Sequence, residues 1–215
     1  MWPREAAAIF RDYPDVGNVG GFASGAVQLL DTEGALIAEN RDARASFRGW
    51  RRYRRWSPLD ALYFFGYALT HYHALPFTLV DACPLRLRAA RARRRGLRGV
   101  EVELPPEVHT HSRRQTFWFD DDGLLRRHDY VAEIVGSWAH GAHLWDDFVR
   151  IDGLPLARHR HVVLRLGRLA TPLAVLDARF SDLTSIAAAP RRVWPGRRPF
   201  FLASAGAQDD VVGEG

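Results

Sequence analysis

The sequence contains no lysine: all 30 of its basic residues are arginine. That excludes a Schiff base and any lysine base or nucleophile. Arginine stays charged, so it clamps anions without shuttling protons. An arginine-only excess behind a net charge of +5 reads as codon bias before it reads as a nucleic-acid footprint. The single cysteine, Cys83, excludes a disulfide within the chain and any multi-cysteine zinc site, and it fits a reducing compartment. No run of ~18 apolar residues offers a membrane span. The opening "MWPREAAAIFRDYPDV" lacks the long apolar stretch of a secretory signal, so the expected location is cytoplasmic. No G-x-G-x-x-G, Walker or G-x-S-x-G motif occurs, and no resident cofactor is expected.

What is present suits a globular chain. With 215 residues, 47% of them hydrophobic, one domain spanning 1–215 with a real core is expected, its core at 25–190 and a turn-rich tail at 191–215. The strongest local signal is "SPLDALYFFGYALTHYHALPF". Ser57 as N-cap, Pro58 at the first helical position and Asp60 in a capping-box position predict a helix from about 58 to 75, with Pro76 helping to end it. It is apolar almost all round, through Leu59, Leu62, Tyr63, Phe64, Phe65, Tyr67, Leu69 and Tyr72, which predicts burial.

The rest reads as strands. "AVQLLDTEGALIAE" turns at Asp31-Thr32-Glu33-Gly34, and "RASFRGWRRYRRW" alternates enough for another strand. "PLRLRAA" and "RGVEVEL" flank an arginine-rich turn. "RQTFWFD" turns into a long "LLRRHDYVAEIVG", "AHLWDDFVRI" turns at Asp152-Gly153 into "LPLARHRHVVLRL", and "LAVLDARFSDL" follows with one or two strands more. The fold class expected is mainly β (α+β): a strongly curved antiparallel meander forming a half-barrel or open barrel around one buried apolar helix.

"EVHTHSRRQTFWFDDDGLLRRHDYVAEIVG" carries unusual polar equipment for core strands. From Leu124, one face reads Leu124, Arg126, His128, Tyr130, Ala132, Ile134 and the other Leu125, Arg127, Asp129, Val131, Glu133, Val135. Neither is cleanly apolar, which suits a sheet around a partly wet cavity. Gln115 shares a face with Phe117 and Phe119, His143 with Trp145, and His159 and His161 with Val163. Taken singly, each histidine reads as an ordinary hydrogen-bonded residue; their concentration points to a site.

The candidate acid/base residues are His111 and His128, with Asp129 orienting an imidazole or pairing with Arg127. The candidate ligand-binding residues are Gln115, Phe117, Arg127, Tyr130, His143 and Trp145, with Tyr63 and Tyr67 from the helix. The partner expected is a small, largely apolar molecule with one polar or anionic handle. An enzyme of this kind would be cyclase- or isomerase-like.

Competing patterns are weaker. His109-Thr110-His111 followed by Gln115 imitates the first cupin metal motif without its flanking glycines or second element. His140 with His143, and His71 with His73, are poorer still, so no metal is expected. "RLRAARARRRGLR" (86–98) could meet phosphates, but it lacks the aromatic interleaving usual in single-strand binders. Cys83 has no identifiable base beside it and reads as structural.

"WSPLDALYFFGYALTHYHALPF", "HTHSRRQTFWFDDDGLLRRHDYVAEIVG" and "DGLPLARHRHVV" resemble blocks of a group of uncharacterised bacterial proteins over about residues 25 to 190. That group's architecture is similar to the LolA-like and LppX-like half-barrels. The resemblance implies a curved antiparallel sheet holding an apolar ligand beneath helices, and hence a non-catalytic carrier of a lipid-like molecule as the alternative to an enzyme. LolA-like carriers are exported, whereas a signal is not legible here.

Overall fold

The structure, a computed structural model, describes residues 6–75, 79, 86–89 (backbone only), 96–106, 108–167 and 169–185. Pro76, Cys83, most of the arginine-rich turn and the tail after Pro190 lie outside the described residues. The chain divides its contacts between two compact units, Met1–Ala74 with Ala188–Gly215 and Leu75–Ala187. Each carries one antiparallel sheet, and neither sheet closes into a barrel.

The first unit holds β1 (Ala7–Arg11), β2 (Val19–Ala23), β3 (Ala26–Leu30) and β4 (Leu36–Asn40), paired in chain order. The β3–β4 hairpin matches the sequence reading. Its turn is held by the Asp31 carboxylate, which accepts from the amides of Glu33 and Ala35 at 2.9 and 2.8 Å. "RASFRGWRRYRRW" is not a strand. It forms two short 3-10 helices, Ala43–Phe47 and Gly49–Tyr53. The buried residues there are Ala43 and Phe47, while Ala45, which a strand would bury with them, is only half-buried.

Helix α1 spans Pro58–His73 and starts with the capping box foreseen: Ser57 Oγ accepts from the Asp60 amide and the Asp60 carboxylate accepts from the Ser57 amide. It packs on β1, β2 and β3. Half of its residues are buried, among them Leu62, Tyr63, Tyr67 and Tyr72, while Phe65 is exposed. Tyr63 anchors an aromatic cluster, with Phe47 at 5.8 Å, Phe22 at 6.1 Å and Tyr67 at 5.0 Å between ring centres. Aromatics supply the largest apolar burial per residue, so this cluster dominates the unit's core.

The second unit is a seven-stranded meander, β5 (Arg86–Ala89), β6 (Arg98–Glu103), β7 (Arg114–Phe119), β8 (Leu125–Val131), β9 (His140–Ile151), β10 (Leu154–Leu166) and β11 (Leu169–Arg179), in chain order across the sheet. β8 is shorter than the sequence suggested. After Val131 the chain turns, with the amides of Val135 and Gly136 both reaching Ala132 O, so Glu133 and Val135 do not continue its faces. β9 and β10 meet at Asp152 and Gly153, whose φ angles of 48° and 81° fit a two-residue hairpin turn. Pairing begins at Ile151 and Leu154 and places Asp146 opposite His159, Trp145 opposite Arg160 and His143 opposite Val162.

Gly66 is the tightest point described between α1 and the four-stranded sheet. A Cβ there would lie 2.4 Å from the Phe22 ring. Gly66→Ala is expected to destabilise by about 1–3 kcal/mol through overpacking, despite the gain of about 1 kcal/mol in helix propensity. In a Phe22→Leu background the same change should cost less. Urea unfolding of the four variants measures the coupling, and equal costs in both backgrounds would contradict the contact.

Candidate functional site

The register of the seven-stranded sheet brings six of the candidate residues onto one face, and a seventh, His111, joins them from the loop before β7. Phe117 on β7, His128 on β8 and His143 on β9 are direct cross-strand neighbours, continued by Val162 on β10. The alternate positions Gln115, Tyr130 and Trp145 share that face. His111, in the loop before β7, stacks on Tyr130 at 4.2 Å. Phe117 stacks on His128 at 4.4 Å with rings 4° from parallel, and His143 lies 5.2 Å from Trp145. All seven are buried, at 0–5% exposure.

One amide orders the centre of this face. Gln115 Nε2 donates to Ser112 O at 2.6 Å and to Thr110 Oγ1 at 2.5 Å. Because a carbonyl only accepts, the amide orientation is set, and Gln115 Oε1 is turned to His128 Nε2 at 2.5 Å. Nε2 of His128 therefore carries the proton and donates. The cupin-like reading of His109, His111 and Gln115 does not fit this geometry, since both ends of the Gln115 amide are already engaged. Burial, and then the charges of Arg160, His111 and His161, hold the His143 pKa well below the ordinary histidine value.

Arg127 and Asp129 point to the opposite face, as alternation along β8 requires. Asp129 therefore pairs with Arg127, at 2.6 Å, and is not placed to orient the neighbouring His128. Its carboxylate also accepts from Trp118 Nε1 at 3.1 Å and lies 3.7 Å from Arg165. Both members of the Arg127–Asp129 pair are buried. Such pairs add little net stability when complete, but removing one partner strands a buried charge. Tyr63 and Tyr67 belong to the first unit, where Tyr63 Oη accepts from Arg44 at 3.4 Å and burial raises its pKa.

A cavity of about 380 Å³ lies in the first unit, lined by Asn40, Ser46, Arg51, Arg54, Arg55 and Asp60 among others. None of the candidate residues lines it, and its arginines make it cationic rather than apolar.

Two features of β10 escaped the sequence reading. Arg160 is 2% exposed and sits on the imidazole face, 4.2 Å from the Trp145 ring centre and 4.9 Å from that of Phe180. His159 and His161, on the other face, group with Asp146. The H-x-H spacing in "RHRHVV" and the Asp152-Gly153 turn were both visible, and counting back from that turn puts Asp146 opposite His159. The arginine-rich 86–98 segment is described only in part; Arg98 pairs with Asp121 at 3.0 Å on the surface.

Two outcomes follow. Asp129→Ala should cost about 3–5 kcal/mol in urea unfolding, since it leaves Arg127 buried beside an empty site; a loss under 1 kcal/mol would contradict the pairing. For His143, the folded pKa lies below the unfolded value of about 6.5, so its unfolded form takes up the proton first on acidification. Its contribution to stability is complete above the unfolded pKa and is lost as pH falls below it, by on the order of 1 kcal/mol between pH 8 and pH 5.5. His143→Gln should remove that part of the pH dependence of unfolding, and an unchanged slope would count against a neutral His143.

Comparison of the chain with protein-family models, with curated proteins and with solved structures finds no match to any of them.

Proposed function

We propose that the imidazole-bearing face of the seven-stranded sheet binds a small, largely apolar metabolite carrying one polar or anionic handle. The observation that carries this reading is the convergence of Gln115, Phe117, His128, Tyr130, His143 and Trp145 on one face of adjacent strands, with His111 stacked on Tyr130 from the loop before β7. A solid core gains nothing from three imidazoles and an amide, whereas aromatic walls with a few fixed polar groups are the usual make-up of small-molecule sites. Arg160, held between Trp145 and Phe180, supplies a buried positive charge on the same face and would meet an anionic handle.

In this reading the seven-stranded sheet curves as a half-barrel around the ligand, in a cytoplasmic setting. The residues lie at 0–5% exposure, so in this reading binding requires the side chains around them to move. If the bound molecule is transformed, the proton-transfer group is His128 or His111. With Nε2 donating to Gln115, a neutral His128 ring would use Nδ1 as its basic atom. A carrier would use the same face without turnover.

Fluorescence titration with cis-parinaric acid, an apolar chain bearing one carboxylate, tests the reading. The full chain should bind it saturably. Arg160→Met should weaken binding by about tenfold or more, equivalent to ~1.4 kcal/mol, while His128→Ala should stay within about tenfold of the parent. Failure of the parent to bind the probe, with no small molecule carried through purification in native mass spectrometry, would overturn it.

A further inference from the structure

We propose that Asp146, His159 and His161, on the face of the sheet opposite to the proposed ligand site, form a binding site for a divalent first-row transition-metal ion. The argument begins with the β9–β10 register. His159 lies directly across from Asp146, and His161 directly across from Asp177 on β11. The side-chain contacts run along the diagonals: His161 Nδ1 is 3.7 Å from Asp146 Oδ2, and His159 Nε2 is 3.0 Å from Asp177 Oδ2. Two imidazoles on one strand are thus flanked by a carboxylate on each neighbouring strand.

The distances suit an ion. One donor atom from each of Asp146, His159 and His161 lies within 4.8 Å of the other two. A tetrahedral ion with bonds of about 2.1 Å sets its donors about 3.4 Å apart, close to the His161–Asp146 separation and within a rotamer adjustment of the rest. The imidazole rings are held side by side, 24° from parallel with centres 5.2 Å apart, so neither must leave the sheet to reach a common point. Asp177 gives His159 the carboxylate partner that ligating imidazoles commonly have, and that hydrogen bond, with His161 and Arg179 nearby, holds the Asp177 carboxyl below its usual pKa.

The surroundings define the ion class. Two imidazole nitrogens and a carboxylate favour Zn²⁺ and its first-row neighbours over Mg²⁺ or Ca²⁺, which prefer all-oxygen shells. The two histidines are partly shielded and the Asp146 side chain is 53% exposed, so water completes the coordination shell. Arg179, 3.7 Å from Asp177, is the cation that opposes binding. Arg158, next to His159 along β10, is engaged with Asp147 at 2.7 Å. The site shares no residue with the imidazole face, so either proposal can fail without the other.

Calorimetric titration of the untagged full chain with ZnCl₂, with Co²⁺ absorption as a second readout, tests the site. One equivalent should bind, and Co²⁺ should show ligand-field bands between those of the aquo ion and of a closed tetrahedral site. His161→Gln and the surface variant Asp146→Asn should each weaken Zn²⁺ binding by at least about tenfold. His109→Gln, outside the site, should leave it unchanged. Asp146→Asn stays informative even if the histidine variant fails to fold. No Zn²⁺ binding by the parent, or full binding by both site variants, would overturn the proposal.

Discussion

Alternation of side chains along β8, β9 and β10 decides which histidines can act together. The Asp152-Gly153 turn fixes how β9 meets β10, and that pairing sends His143, Trp145 and Arg160 to one face and Asp146, His159 and His161 to the other. A slip of one residue would exchange the two sets. The placing of Arg160 over Trp145 and the grouping of His159 with Asp146 both rest on that register.

Both faces carry polar groups that a β-sheet core ordinarily excludes, and each handles them differently. On one face the polar atoms are held among rings, with the Gln115 amide locking His128 and with Arg160 laid across Trp145. Burying imidazoles there favours their neutral form, as at His143. On the other face Asp129 gathers Arg127, Trp118 and Arg165 into a buried ionic group, while the histidines toward β11 are wetter and meet exposed carboxylates. The first arrangement underlies the proposed site for an apolar ligand with a single handle, and the second the proposed cation site. Alternation within the same short sequence, "RHRHVV", places Arg160 on the first face and His159 and His161 on the second.

Much of this was legible in the residues, and the rest was hidden for identifiable reasons. Helix α1 announced itself through Ser57, Pro58 and Asp60, because capping chemistry is local. The strands from β5 to β11 follow from alternation and tight turns. "RASFRGWRRYRRW" misled because alternating arginines and aromatics imitate a strand, while Phe47 and Trp56 instead pack edge to face at 5.1 Å beside α1. β1 and β2 were not foreseen, since "AAIFR" and "VGGFA" are too short and too rich in alanine and glycine to display a period. Parity paired Gln115 with Phe117, His128 with Tyr130 and His143 with Trp145 within their strands, but it also set Arg127 and Asp129 apart, and only the register shows which faces coincide. Asp129 was assigned two possible partners, and only its position across from Thr116 and beside Trp118 shows which it takes. Arg160 was overlooked because a charged residue between two histidines gives no hint of 2% exposure.

The central claim is that the sheet keeps two chemically separate sets of imidazoles. Side-chain ¹H–¹⁵N NMR of the histidines during a Zn²⁺ titration tests it most directly. The account predicts that the ring signals of His159 and His161 move or broaden in proportion to added metal while those of His111, His128 and His143 stay in place. Early, parallel changes in His128 and His143 would contradict it.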